Sequence, residues 1–155
     1  MVDWKKAKHF FFKAMINGWA GNAEKITLPQ MPGYKVISFS EEDLYLTDCY
    51  CVTPDSTSSV GTTTIYYEDN PIWIMQYGGY YRKEAIGFLK EVLLSSYENR
   101  DFIGGRGPYQ QKNHDLIYTN NPSTNRFHDF KGEENIHNQT YNIKMGYHHY
   151  WGMSF

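Results

Sequence analysis

The chain has 155 residues and a formal net charge of −2, with 41% hydrophobic and 21% charged residues. That balance fits one folded domain around a single core and excludes a disordered chain. It also argues against nucleic-acid binding through a basic face. No apolar run reaches the roughly 18 to 20 residues that a membrane span requires. The unusual figure is the aromatic share, 17%, with fourteen tyrosines, nine phenylalanines and four tryptophans, which supply flat amphipathic surface for core and pocket alike.

In chain order, Asp3 is placed to cap a first helix that runs to Asn17, with Trp4, Ala7, Phe11, Ala14 and Met15 on one stripe. The same N-terminal stretch has no continuous apolar core and no small-residue cleavage site. No secretory signal is expected from it, and the expected location is cytoplasmic. Gly18 to Tyr34 is read as a long irregular passage, broken by Gly21, Pro29, Pro32 and Gly33. From Asp43 the hydrophobic period becomes two, and Leu44, Leu46, Asp48, Tyr50 and Val52 share one face of a strand. On that strand Cys49 and Cys51 lie about 6.5 to 7 Å apart, a poor spacing for a disulfide, so both are expected as free thiols. Val60 to Gly79 reads as two strands joined at Asp69-Asn70-Pro71.

A second helix is predicted from Arg82 to Tyr97, with Ala85, Ile86, Leu89, Val92, Leu93 and Tyr97 inward. The loop GGRGPYQ follows, then a hairpin expected around Asn120 to Asn125 and a turn at Lys131-Gly132. In the last segment Tyr141, Ile143, Met145, Tyr147, His149, Trp151, Met153 and Phe155 form the apolar face, opposite His148 and its even-numbered neighbours. Two helices among antiparallel strands predict a single α+β domain over residues 1–155, a curved, largely antiparallel sheet with both helices packed on one face.

Candidate chemistry is sparse. The glycines around Arg106 offer either an anion-binding concavity or a plain corner after a helix. A turn does not need an arginine, however, so Arg106 is expected to point inward, on a planar anion or on a buried carboxylate such as Asp48. Asp48 and His149 each interrupt an apolar strand face and form a candidate acid–base pair. The alternative is that each hydrogen-bonds within the sheet. His148 and His149 point to opposite faces of a strand, so with His114 and Asp115 they do not make a metal site. Neither a metal nor a cofactor is expected. The carboxylates of GEENI, Glu133 and Glu134, read as solvated charge. Aromatics beside glycines, Trp19, Tyr80, Tyr81 and Tyr109, could stack on a planar ligand. The candidate ligand-binding set is Arg106, Tyr109, Trp73, Tyr77, Tyr50 and Trp151.

Several short motifs occur in a characteristic order: Ala20 to Asn22; Asp48 and Tyr50 in TDCY; NPIWIMQYGG from Asn70; FLKEVLL from Phe88; RGPY at Arg106 to Tyr109; and FKGEENI from Phe130. Through them the chain, from about Gly18 to Tyr147, resembles a bacterial family catalogued as a domain of unknown function, often found downstream of an Xre-type helix-turn-helix. It departs from that pattern at Cys51-Val52-Thr53 and at His149-Tyr150, where the family carries glycine pairs. The resemblance implies no reaction; the association with DNA-binding modules implies a sensing role. Three readings stay open. The first is a non-enzymatic domain binding a small planar or anionic molecule. The second is an acid–base enzyme on a nucleotide-like substrate using Asp48 and His149. The third is a protein-interaction module, including a phage or host-defence inhibitor.

Overall fold

A computed structural model describes the whole chain, Met1 to Phe155. Helix α1 spans Trp4–Ile16. Strands β1 (Ile26–Thr27), β2 (Tyr34–Glu41), β3 (Leu44–Val52), β4 (Ser58–Tyr67) and β5 (Asn70–Tyr81) follow. A 3-10 turn, Lys83–Ala85, leads into α2 (Ile86–Glu98), and β6 (Gln110–Asn113), β7 (Leu116–Arg126), β8 (Asp129–Asn138) and β9 (Ile143–Ser154) complete the chain. All nine strands form one sheet in the order β1-β2-β3-β4-β5-β9-β8-β7-β6, and every pairing is antiparallel. The sheet is thus two meanders joined by the β5–β9 pairing, as expected for an open, curved α+β domain.

Helix α1 starts where the sequence says it should. The Asp3 side chain accepts bonds from the Lys5 and Lys6 amides at 2.9 and 3.2 Å, occupying two of the donors a helix start leaves unpaired. Asp3→Ala should cost about 1 kcal/mol in a urea melt. The buried set of α1 is wider than one stripe and includes Phe10, Phe11, Phe12, Ala7 and Ala14. Phe11 sits among Trp73, Tyr97, Phe102 and Phe127 with ring centroids 5.3 to 6.2 Å apart. It joins the helices to the inner sheet face, where Trp73 stacks between Phe127 and Phe130.

Four expectations need correction. The passage Gly18 to Tyr34 contains the short strand β1, and β2, which has no counterpart in the sequence reading, begins at its last residue, immediately after Gly33. The β4–β5 turn is Glu68-Asp69, both with left-handed φ (48° and 64°), while Pro71 is already in β5 beside a bulge. The β7–β8 turn is Phe127-His128 rather than Asn120 to Asn125. Pro122 lies within β7 at a bulge, and Lys131-Gly132 is mid-strand.

The fourth correction concerns β9. A bulge between its pairings at Gly146 and Lys144 makes Met145 the extra residue. One extra residue inverts the alternation beyond it. Met145 is inward as expected, but from there His148, Tyr150 and Gly152 are the buried residues, while His149, Trp151 and Met153 lie on the outer face. Phe130 folds its ring over Gly152, which is why the inward side of this strand could lack a large residue there.

Candidate functional site

Sheet register assembles a polar row on the inner face. Asn120 of β7 pairs with Glu134 of β8, Glu134 with His148 of β9, His148 with Gly79 of β5, and Gly79 with Ser59 of β4. The row reads as an ordinary inward period of two: in β8, Phe130, Glu134 and Ile136 are all buried. Glu134 is fully buried, so its reading as solvated charge was wrong, and the alternation Phe130-x-Gly132-x-Glu134-x-Ile136 was the signal that could have found it.

Over this row hangs the glycine loop. Ile103 to Gly107 are all buried. Gly104 and Gly105 have φ of +60° and +67°, and a Cβ at Gly104 would run into the Tyr150 ring. A buried loop must pair its backbone groups within the protein. Gly104 N–H donates to Asn125 Oδ1 (2.8 Å), Arg106 N–H to Ile103 O (3.1 Å) and Gly107 N–H to Tyr118 OH (3.0 Å). Asn120 Nδ2 donates to the carbonyls of Ile103 and Gly107, both at 2.8 Å, and Tyr150 OH donates to Asn120 Oδ1 (2.6 Å). Three of the amides a phosphate cradle would use are therefore already occupied.

Arg106 points inward and is 5% exposed. Its Nη2 donates to Glu134 Oε1 at 2.5 Å, and Tyr118 OH donates to Glu134 Oε2 at 2.5 Å. The carboxylate Arg106 pins is thus Glu134. Burial pushes the Glu134 carboxyl up, but the guanidinium and the His148 ring together hold it down at about 2, so the pair is ionised and electrically cancelled. Arg106 Nε is buried without a partner. The guanidinium also lies over the Tyr77 ring, 5.5 Å from its centroid.

His148 is the inward histidine. Its Nδ1 is 3.4 Å from Arg106 Nη2 and 3.6 Å from Glu134 Oε1, and its Nε2 is 3.2 Å from Ser59 Oγ. Nδ1 thus faces both a donor, Arg106 Nη2, and an acceptor, Glu134 Oε1, and Nε2 faces a hydroxyl that can donate or accept. Burial, with the charge of Arg106 beside it, lowers the pKa of the ring against the pull of Glu134, and the imidazole is neutral.

Beside this network a cavity of about 180 Å³ opens between α1, α2 and the sheet. Trp19, Ile37, Phe39, Leu46, Leu93 and Tyr97 are among its walls, and Asp48, Thr63, Tyr77, Arg106, His148 and Ser59 form its polar end. Asp48, on β3, is 8% exposed. Its Oδ1 accepts from Tyr77 OH (2.7 Å) and Thr63 Oγ1 (3.3 Å), while Oδ2 accepts nothing from the protein. Burial raises the Asp48 carboxyl above the usual carboxylate range, against the hydrogen bonds from Tyr77 and Thr63.

Of the residues singled out from sequence, Arg106, Asp48, Tyr50 and Tyr77 line the cavity. Trp73 is a core residue whose Nε1–H donates to Phe127 O (2.8 Å). Tyr109 and Trp151 are exposed. His149 is on the outer face, 3.4 Å from Glu133, and does not meet Asp48. Tyr118 and Ser59 carry no signal in the sequence, while Glu134, His148 and Asn120 are there expected as solvated charge, an outer-face residue and a turn residue, and all three lie in the buried row.

Residues 54–153, well over half the chain, match the family described as Domain of unknown function (DUF5680). The chain belongs to that family. No curated protein and no solved structure matches it. The matched DUF5680 segment carries the Arg106–Glu134–Tyr118 network and His148; α1 and β1 to β3, with Asp48 and Tyr50, precede it. No helix is long and apolar enough to cross a membrane.

Proposed function

We propose that this DUF5680 chain is a non-catalytic, small-molecule-binding domain whose ligand occupies the cavity between α1, α2 and the inner sheet face. The observation that carries the reading is a pocket with apolar walls and a buried carboxylate at its polar end, one oxygen of which has no partner in the protein. Such convergence of a few polar groups in an apolar concavity is the common form of a ligand site. An apolar cavity near 150 Å³ accommodates a benzene ring, so about 180 Å³ suits a molecule of one or two rings. The neutral His148 is held between Ser59, Arg106 and Glu134, an arrangement suited to hydrogen bonding within the network. The resemblance of the motifs to a bacterial family often found downstream of Xre-type regulators supports a sensory role. The two free cysteines of β3 fit a reducing, cytoplasmic setting.

The test is a thermal-shift screen of one- and two-ring compounds against the parent chain and against Val52→Trp and Ile86→Trp, which place an indole at two points of the lining. A true ligand at 100 times its Kd adds about 2.7 kcal/mol, which raises Tm by about 5 to 10 °C in a chain of this size. The same compound should give no shift in the two filled variants. Shifts that persist in both would place binding elsewhere and reject the reading.

A further inference from the structure

The polar end of the cavity holds two groups of opposite character with capacity to spare. Asp48 Oδ2 is an acceptor without a donor, and Arg106 uses only Nη2 within the protein, on Glu134 and His148. The two side chains do not touch: no Asp48–Arg106 ion pair exists within 4.0 Å, and Tyr77 lies between them. Tyr77 is in fact a ruler for the gap, because its hydroxyl is on Asp48 while its ring lies under the guanidinium. A ligand ring placed alongside Tyr77 would put one end near the free carboxylate oxygen and the other near the unused guanidinium N–H groups.

Charge decides what those ends can be. Arg106 is the only cation at this end, and Glu134 already cancels it at 2.5 Å. Neither Asp48 nor His148 adds positive charge. A carboxylate or phosphate entering the cavity would shed its hydration and find no net positive charge to replace it, only a partly spent guanidinium and a nearby carboxylate. A neutral molecule meets no such penalty, and it can satisfy both open groups at once.

Resting on the reading that the cavity binds a small molecule, we infer that it selects an electrically neutral planar ring. That ring carries an N–H or O–H donor at one end, for Asp48 Oδ2, and a carbonyl-type acceptor at the other, for Arg106. Anions of the same shape are rejected. This narrows the sequence-based expectation of a planar or anionic ligand to the planar, neutral one, and Asp48 becomes the specificity-determining residue.

Two isosteric probes test the inference: 4-hydroxybenzamide, which is neutral, and 4-hydroxybenzoate, which is anionic, with toluene as an apolar control. Affinities are read by ligand-observed NMR at pH 7.5 on the parent chain and on Asp48→Asn, which keeps the shape of the side chain. The amide should bind at least tenfold more tightly than the benzoate. In Asp48→Asn that ratio should fall several-fold while toluene is unaffected. Benzoate binding as tightly as the amide, or a ratio unchanged in Asp48→Asn, overturns the inference. If toluene alone binds, competed out by Val52→Trp, the cavity reading stands and polar selection fails. If none of the three binds, both fail.

Discussion

Arg106→Ala should lower the unfolding free energy by about 3 to 5 kcal/mol, the usual cost of stranding one member of a buried ion pair. The residue left behind is Glu134, which is fully buried and would lose the largest of the contributions that hold its carboxyl down against desolvation. Tyr118 would still donate to it, but a single neutral hydrogen bond does not replace a full charge. The arginine also lies against Tyr77, so its removal opens space beside the cavity. A domain's whole stability is about 5 to 15 kcal/mol, so such a loss would move the urea midpoint far. Arg106→Met combined with Glu134→Leu should recover most of the loss, because a pair of apolar residues leaves no uncompensated charge. An Arg106→Ala midpoint matching the parent would mean that the pair is solvated, and the account of the loop as the lid of a buried network would fall with it.

The loop was half legible. Glycine and proline announce a corner, and an arginine that no corner requires announces an inward contact; both statements hold for Arg106. Its partner was not legible in the same way, because Glu134 stands in a run of carboxylates whose average character is solvated. Only the two-residue period through Phe130, Gly132 and Ile136 distinguishes it from Glu133. Asp48 was legible for that reason, since Leu44, Leu46 and Tyr50 flank it at the same period.

The two histidines of β9 are a case that strand periodicity alone does not resolve. A single-residue bulge at Met145 exchanges the faces of everything after it, so His149 was chosen where His148 serves. The one local mark of the bulge is Gly146, beside Met145, whose φ of +153° favours glycine and where a Cβ would meet the Tyr80 carbonyl. The row that unites Asn120, Glu134, His148 and Ser59 is less accessible still. It exists because β9 returns to pair with β5, a fact of sheet order rather than of any local pattern.

Acid should destabilise the domain in a window set by the same buried groups. Glu134 has a folded pKa of about 2 against an ordinary value near 4.5, so its depressed pKa stabilises the fold fully above pH 4.5. That contribution, about 3 kcal/mol, is lost as pH falls from 4.5 toward 2, because the unfolded chain binds the proton first. His148 works in the same sense. Its folded pKa lies below 6.5, so the unfolded state takes up the proton first as pH drops through that value. Asp48 works in the opposite sense: its raised pKa means that ionisation weakens the fold at neutral pH, and the penalty is relieved as the folded carboxyl protonates. Urea midpoints at pH 7, 5 and 3 should therefore fall, with the steepest loss below pH 4.5. Asp48→Asn should be more stable than the parent at pH 7 if its penalty exceeds the hydrogen bonds it accepts, and in either case should lose more on acidification, since the compensating relief is gone. Parent midpoints that stay level from pH 7 to pH 3, together with an Asp48→Asn profile parallel to the parent, would show that neither carboxylate is buried as described.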